Sequence, residues 1–428
     1  MFLSFAEMQS FLGLSNSSYL LESVWNPFVL YGDSKWMIAA ELQQTLDRFE
    51  FTGLDISPLW DAMDWLAKQP KHTYALAFLR YAIMIGAHPS RWLVKHGPRW
   101  GLSHIPDSVM ELLLVLSLVL PSIQDHRRRN LDDYFATFNL GHLRNYIHGY
   151  VNKHHVLGIE PFGWTTYLAT LGLLPIGSFQ FMHHVFTDPY FVYRKKTGGN
   201  IVVLAKSGLV VNSWGQFSGV NQNNNIAFRT SLEEVGDDLF AYKVLPNGII
   251  SAHPICLNKQ EWELILEPGM PVIDFHIPSK TAYDLDSIKS TFQQAIAFFH
   301  SYYPEHAYQA FWCVSWLYSP QLPWLIRKPD SNILHIHKQG YICPATPDEK
   351  SMFSFVLHKE SVDWDNFTPK TSLEYDLKAF YDKGGRVNAG LFLYFFENIN
   401  QFGTNPYRTS ADDTEYSSIK PYAEESNV

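Results

Sequence analysis

The sequence predicts an α+β protein in which an all-helical N-terminal domain precedes a mixed-sheet α/β domain. Up to about residue 125, apolar residues recur at helical spacing, with proline and glycine at the joints. From Ile176 onwards the pattern changes to short strands separated by hairpin signals. One strand–helix–strand unit, residues 271–315, lies in the middle of the second part. A crossover of this length predicts two parallel strands in one sheet.

The length of 428 residues favours more than one domain. We therefore predict a helical domain over 1–125, a mixed-sheet domain over 126–405 and a frayed acidic tail over 406–428. The basic run at 126–130 marks the first boundary; a solvated linker is its simpler interpretation and a phosphate-binding role the alternative.

Composition excludes several function classes. A net charge of −9 makes nucleic acid a poor partner. The longest apolar run, 109–120, contains Glu111 and ends at Pro121, so we expect no membrane span. The three cysteines are scattered and the N-terminus lacks signal-peptide features, which predicts a cytoplasmic protein.

The helical pattern predicts helices at residues 5–14, 36–51, 58–67, 72–86, 107–120, 131–152 and 164–174. Strands follow at 179–193 and 201–204 around a turn at 195–200, and at 239–244 and 248–252 around Pro246-Asn-Gly248. The composition of residues 219–225 predicts a polar loop. In the middle unit, strands at 271–278 and 308–315 flank a helix with Asp284 as its N-cap.

The last part of the chain adds shorter elements. Alternation predicts strands at 332–337 and 353–358. A helix at 371–383 has a capping box of Thr371 and Glu374 and ends at Gly384-Gly385.

No phosphate-loop, hydrolase-elbow or zinc-protease motif occurs in the sequence. His183 and His184 are adjacent and would point to opposite faces of a strand. His335 and His337 would share a face but have no third ligand nearby. We therefore expect no metal.

Asp274 and His276 lie two residues apart on the first strand of the middle unit, so both point to one face. His276 is a candidate general base, because an imidazole pKa near 6.5 suits proton removal. The alternative is a hydrogen-bonded core pair, since two buried polar groups need a partner.

Cys313 and Ser315 share a face of the second strand, and Tyr318 lies just beyond. Either Cys313 or Ser315 could be a nucleophile, but no activating neighbour is evident, and a buried structural cysteine is the simpler interpretation. Tyr318 could act as an acid or merely pack at the surface.

The order and spacing of these stretches resemble a two-domain bacterial acyltransferase family with a helical N-terminal domain and a GNAT-like C-terminal domain. The matching stretches are residues 272–278, 298–304, 308–317, 320–322, 330–333, 371–373 and 384–386. The resemblance implies a GNAT fold in which strands 272–277 and 308–314 part. The gap would receive the pantetheine arm of acyl-CoA or acetyl-CoA as co-substrate.

The resemblance also implies roles for particular residues. A small-molecule amine would attack the thioester directly, with Asp274, His276, Ser315 and Tyr318 as catalytic candidates. The candidates for contacting the cofactor are Phe275, Ile277, Ser279, Lys280, Thr281, Trp312 and Cys313.

One stretch departs from the family pattern. GNAT enzymes usually cradle the pyrophosphate on a glycine-containing loop, whereas residues 279–284 contain no glycine and end in Asp284. Lys280 and the helix amides could hold a phosphate. Because of this departure, the acyl donor could instead be an acyl-carrier protein. The departure also leaves open a non-catalytic, degenerate GNAT-like module that binds a peptide, glycan or protein in an aromatic groove.

Overall fold

The two parts of the chain form separate compact units in the computed structural model, Met1–Leu174 and Pro175–Val428. The structure describes residues 3–13, 18–32, 36–49, 51, 53–85, 98, 100–218, 226–345 and 349–419. The loop predicted at 219–225 lies outside these residues. The units divide at Leu174, later than the sequence boundary at 126–130, because the two helices that follow residue 130 belong with the N-terminal helices.

In the residues that the structure describes, the regular structure of the first unit up to residue 173 is helical, as predicted. Its helices are α1 (Phe5–Leu12), α2 (Ser18–Tyr31), α3 (Ala39–Leu46), α4 (Ser57–Leu66), α5 (Pro70–Met84), α6 (Asp107–Arg128), α7 (Asp133–His154) and α8 (Phe162–Ala169). Helix α6 is the centre of this unit, since α3, α4, α5 and α8 all pack against it.

Helix α6 differs from its prediction at its C-terminal end. It was expected to end at Leu120 before a solvated linker, but it continues through Pro121 to Arg128, and His126 is buried. The buried residues that follow Pro121, such as Ile123, continue the packed face and outweigh the backbone hydrogen bond that proline lacks. At 22 residues α6 is long and apolar enough to cross a membrane by length and composition, and 72% of its most apolar window is buried inside the protein.

The second unit contains two large sheets and a small one. The strands are β1 (Leu174–Ile176), β2 (Phe179–Val185), β3 (Tyr190–Lys195), β4 (Ile201–Ala205), β5 (Val210–Asn212), β6 (Ile226–Arg229), β7 (Leu232–Val235), β8 (Asp238–Leu245), β9 (Ile249–Asn258), β10 (Trp262–Leu266), β11 (Pro271–His276), β12 (Ala310–Ser315), β13 (Tyr341–Pro344) and β14 (Gly390–Phe395). The helices are α9 (Leu285–Tyr302), α10 (Leu322–Leu325), α11 (Asn332–His337), α12 (Glu349–Met352), α13 (Ser372–Asp382) and α14 (Ser410–Ser417).

The first large sheet, sheet A, has the order β1-β2-β11-β12-β14-β13, and the second, sheet B, has the order β10-β3-β4-β8-β7 with β9 paired to β8. The α+β prediction is therefore confirmed, including the parallel pairing of β11 with β12. The Tyr190 hydroxyl donates to the carbonyl of Pro344 on β13, and the Tyr341 hydroxyl donates to the carbonyl of Val244 on β8. These two phenols satisfy their own buried hydroxyls while they join sheet A to sheet B.

Helix α9 covers one face of sheet A through an aromatic core. Phe292 is fully buried and stacks on Phe311 of β12 with ring centroids 4.2 Å apart. Phe275 of β11 meets the edge of the Phe292 ring at 5.2 Å. Rings of this size supply much of the apolar area that the crossover buries.

Local sequence signals predicted several of these elements correctly. The hairpins β3–β4 and β8–β9 form as expected. Asp284 caps α9, because its carboxylate accepts the Ser287 amide at 2.9 Å. Thr371 caps α13 by accepting the Glu374 amide at 3.3 Å.

Three expectations after β12 differ from the structure. The strands predicted at 332–337 and 353–358 are wrong: the first segment is helix α11 and the second is a π-helical turn, Phe353–Leu357. Both are segments of only six residues that mix apolar and polar side chains, for which alternation and helical spacing cannot be told apart. The tail expected to fray from residue 406 contains α14, whose Tyr416 stacks on Trp324 at 4.4 Å. Residues 420–428 lie outside the described part.

Candidate active site

Strands β11 and β12 part in the middle of sheet A. Each pairs at six positions with its outer neighbour, β11 with β2 and β12 with β14. With each other they are in register at only two positions, Ile273 with Phe311 and Asp274 with Trp312. Beyond Asp274 and Trp312 the described residues of the two strands are no longer in register, so the facing backbone edges are unpaired towards the carboxyl ends; we call this unpaired stretch the gap. Binding sites in such sheets form at this edge.

The register assigns the predicted site residues to two faces of sheet A. Asp274 and Trp312 lie side by side on the face opposite α9, and His276 shares that face with Asp274. Phe275 and Cys313 point to the α9 face. The structure therefore brings Asp274, His276 and Trp312 together, and separates them from Cys313.

Asp274 and His276 form a close pair. The His276 Nε2 lies 3.5 Å from the Asp274 Oδ2, and 40% of the histidine side chain is exposed against 9% of the aspartate side chain. Burial disfavours the charged imidazolium, but the adjacent Asp274 carboxylate outweighs it and raises the pKa of His276 above 6.5. The Asp274 carboxylate therefore favours the protonated imidazolium of His276.

Removing the Asp274 carboxylate tests the cause of the raised His276 pKa. In Asp274→Asn the burial remains while the carboxylate is lost, so we expect the pKa of His276 to fall below 6.5. The native pair stabilises the fold below pH 6.5 and loses that contribution as the pH rises through the raised pKa; the variant lacks it. An NMR titration of the imidazole protons measures the shift. An unchanged His276 pKa would show that Asp274 does not control it.

Trp312 joins the pair to a second carboxylate. Its indole N–H donates to the Asp188 Oδ2 at 2.7 Å, and His184 stacks on the indole at 4.2 Å. Burial raises the pKa of Asp188, although the indole hydrogen bond opposes the shift. Sequence reasoning missed Asp188 and the stacking of His184, because β2 and the loop after it are distant in the chain from β12.

Two tyrosine hydroxyls meet on the α9 face. Tyr283 donates to Tyr318 at 3.3 Å, and Tyr318 is 1% exposed rather than packed at the surface. The Tyr318 ring lies between Phe275 of β11 and Phe392 of β14, at centroid distances of 6.2 and 4.4 Å. Burial raises the pKa of both phenols, so both stay protonated and able to donate. Tyr283 was missed; its only signal was a single aromatic residue in a polar loop.

The two nucleophile candidates, Cys313 and Ser315, have structural roles. Cys313 is buried, and burial raises the pKa of its thiol, which disfavours the thiolate. The Ser315 hydroxyl accepts the Leu317 amide at 3.3 Å and so starts the helical turn after β12. Neither arrangement activates a nucleophile.

The loop from β11 to α9 contains the remaining predicted contacts, Ile277, Ser279, Lys280 and Thr281. Lys280 adopts φ +66, a conformation that glycine takes most readily, and the Thr281 amide donates to the Pro278 carbonyl at 3.3 Å. The Asp284 carboxylate takes the Ser287 amide and also accepts the Ser287 hydroxyl at 2.8 Å. The first turn of α9 therefore presents a carboxylate where an anion would need free amides.

Within the described ranges, no group of three or more histidine, cysteine, aspartate or glutamate side chains could hold a metal.

His337 is fully buried: its Nε2 lies 3.0 Å from the Ser319 carbonyl and its Nδ1 3.2 Å from the Arg408 Nη2. The carbonyl only accepts and the guanidinium only donates, so the imidazole is neutral with its proton on Nε2. Burial, with Arg408 beside it, lowers the pKa of His337 to about 3.

A six-stranded sheet whose central parallel strands part beside a crossover helix defines a GNAT-like domain. The family model of the GNAT-like C-terminal domain matches residues 173–391, more than half of the chain, and the protein belongs to this family. No curated protein matches the sequence significantly.

Solved structures similar to this chain include three acyltransferase crystal structures, each 17% identical and covering 92% of this chain and 99% of its own. One is a mutant with octanoyl-CoA, at a TM-score of 0.48. Another is a complex with decanoyl-CoA and teicoplanin, at 0.49. The third is a complex with CoA and 10C-teicoplanin, at 0.47.

Proposed function

We propose that the protein is an N-acyltransferase that moves an acyl group from a thioester donor, acyl-CoA, to a small-molecule amine. The observation that carries the proposal is the gap between β11 and β12, which are in register at only two positions. An extended pantetheine arm has amides that can pair with a free strand edge, as an added strand does.

The residues around the gap suit direct aminolysis of a thioester. His276, supported by Asp274, takes a proton from the ammonium, and the free amine attacks the thioester carbonyl. A C–N bond forms, the C–S bond breaks, and the thiolate leaves. The Tyr318 hydroxyl, which accepts from Tyr283, donates a hydrogen bond to the departing sulfur, and the thiolate takes its proton from solvent. The base lies on one face of sheet A and this donor on the other, so a thioester in the gap is flanked by both.

The test combines donor binding with turnover. Acetyl-CoA, octanoyl-CoA and decanoyl-CoA are each added alone, and a donor present at a hundredfold its Kd adds about 2.7 kcal/mol to the free energy of unfolding. Each donor is then incubated with a panel of primary amines while free thiol is measured. We expect a rise in melting temperature and amine-dependent thiol release. If no donor binds and no pair releases thiol, the proposal is wrong.

The Asp284 cap favours a second candidate donor, an acyl-carrier protein. Its carboxylate and Asp286 in the first turn of α9 oppose a diphosphate there, whereas a protein-bound acyl pantetheine brings no nucleotide. Comparing kcat/KM for octanoyl-CoA and octanoyl-pantetheine separates the donors. Equal values favour the carrier protein; a large preference for the CoA thioester favours acyl-CoA.

The same cap favours a second candidate function, a non-catalytic module that binds a peptide, glycan or protein in the aromatic groove. Such a module would neither bind the thioesters nor release thiol. A protein that folds normally but shows no binding of any donor and no thiol release with any amine would favour this candidate.

A further inference from the structure

Three arginines converge on one pocket of the first unit. The pocket has a volume of about 420 Å³ and lies between the chain after α3, the end of α6 and the first half of α7. Arg48, Arg127 and Arg144 come from these three elements. Asp133, Thr137 and Gly141 of α7 also line it. Its volume is in the range of ordinary ligand sites.

The charge of this pocket is not balanced by the protein. Within the described ranges, none of the three arginines makes an ion pair, whereas the neighbouring Arg128 and Arg129 both pair with Asp125, at 3.4 and 3.0 Å. Asp133 is the only carboxylate in the described lining, so three positive charges face one negative charge. A bound anion would therefore face a net positive lining.

We propose that this arginine pocket binds a phosphate-bearing anion, of the class of inorganic or organic diphosphates. The planar guanidinium forms paired hydrogen bonds with phosphate oxygens, and arginines from three elements can hold one phosphate group from several sides. The Thr137 hydroxyl can donate a further bond. The site goes beyond the proposed acyl transfer and does not depend on it. Arg127 belongs to the basic run at 126–130, and the proposed site gives it the phosphate-binding role that was the alternative to a linker.

A larger side chain can be introduced into the pocket without a clash between its Cβ and the rest of the protein. Gly141 lies inside α7, and a Cβ added there would meet nothing within 4 Å. Gly149 lies in the same helix with the same open surroundings, but it lines a different pocket, with Tyr146 and Tyr150. Replacing either glycine by leucine improves helix propensity by a similar amount. The two variants therefore differ in which pocket they fill.

The experiment is titration calorimetry of the full chain with inorganic pyrophosphate and with ADP. We expect Arg127→Gln and Arg144→Gln each to weaken binding by about tenfold or more, because each removes a charge-assisted hydrogen bond. Gly141→Leu should abolish binding without lowering the melting temperature. Arg128→Gln, which changes net charge equally outside the pocket, and Gly149→Leu should bind as the native protein does.

The two probes also distinguish the source of the phosphate. Equal affinity for pyrophosphate and ADP assigns the site to a simple diphosphate, and tighter binding of ADP assigns it to a nucleotide; both support the proposal. The proposal is overturned if neither probe binds, if sulfate binds equally well, or if Arg128→Gln weakens binding as much as Arg127→Gln. Because the readout is binding alone, failure of acyl transfer leaves this result unaffected.

Discussion

Substituting His276 by alanine should lower kcat/KM for thiol release by about 10²- to 10⁴-fold, the range that a positioned general base contributes. Forty per cent of the His276 side chain is exposed, and its Nε2 lies 3.5 Å from the Asp274 Oδ2. The free energy of unfolding should therefore change by less than about 1 kcal/mol. Thiol release with a donor and an amine acceptor, together with urea denaturation, measures both quantities.

The comparison variant is His300→Ala on α9, an exposed histidine outside the gap, which should leave the rate unchanged. The pH dependence gives a further check, since a base works only when neutral. The rate should fall as the pH drops through the raised pKa of His276. If His276→Ala lowers the free energy of unfolding by as much as it raises the activation free energy of thiol release, the interpretation as a hydrogen-bonded core pair is favoured instead.

Substituting Phe292 by alanine should lower the free energy of unfolding by about 3–5 kcal/mol, the usual cost of deleting a buried ring. Phe292 is fully buried and contacts Phe275 and Phe311, which lie on the two strands that part. The deletion leaves a cavity beneath those strands, and the surrounding rings can fill it only partly. Urea denaturation of the purified variant measures the loss.

Phe298, on the same helix, is only partly buried and contacts aromatic residues of α9 and its C-terminal end, such as Tyr302 at 4.8 Å. Phe298→Ala makes the same chemical change and should cost clearly less. If the two variants lose equal stability, Phe292 does not hold the centre of the crossover.

Sequence reasoning predicted the elements whose signals are local. The cap at Asp284, the hairpin around Pro246-Asn-Gly248 and the strand–helix–strand unit each depend on residues close together in the chain. The errors fall where the signal was short: residues 332–337 alternate as a strand does, yet Leu334, Ile336 and His337 become the buried side of a helix. Helix α6 was cut short because proline is usually a stop, and packing beyond Pro121 outweighed it.

The candidate site was predictable only in part, for a similar reason. The two-residue spacing of Asp274 and His276 correctly indicated a shared face. The bond from Trp312 to Asp188 spans 124 positions in sequence, and the contact between Tyr283 and Tyr318 depends on how two loops meet. No periodicity encodes such contacts. The gap itself was expected from a resemblance, and the residues alone do not say where two strands stop pairing.

The order of strands in sheet A has a consequence for the biosynthesis of the protein. β14 is the last strand in the described part of the chain, but it lies inside the sheet, between β12 and β13. Until residues 390–395 have left the ribosome, β12 has only its two register positions with β11, and β13 has no neighbour in sheet A. The second unit therefore completes its sheet late in translation, and a nascent chain stalled before β14 would expose two apolar strand edges to chaperones.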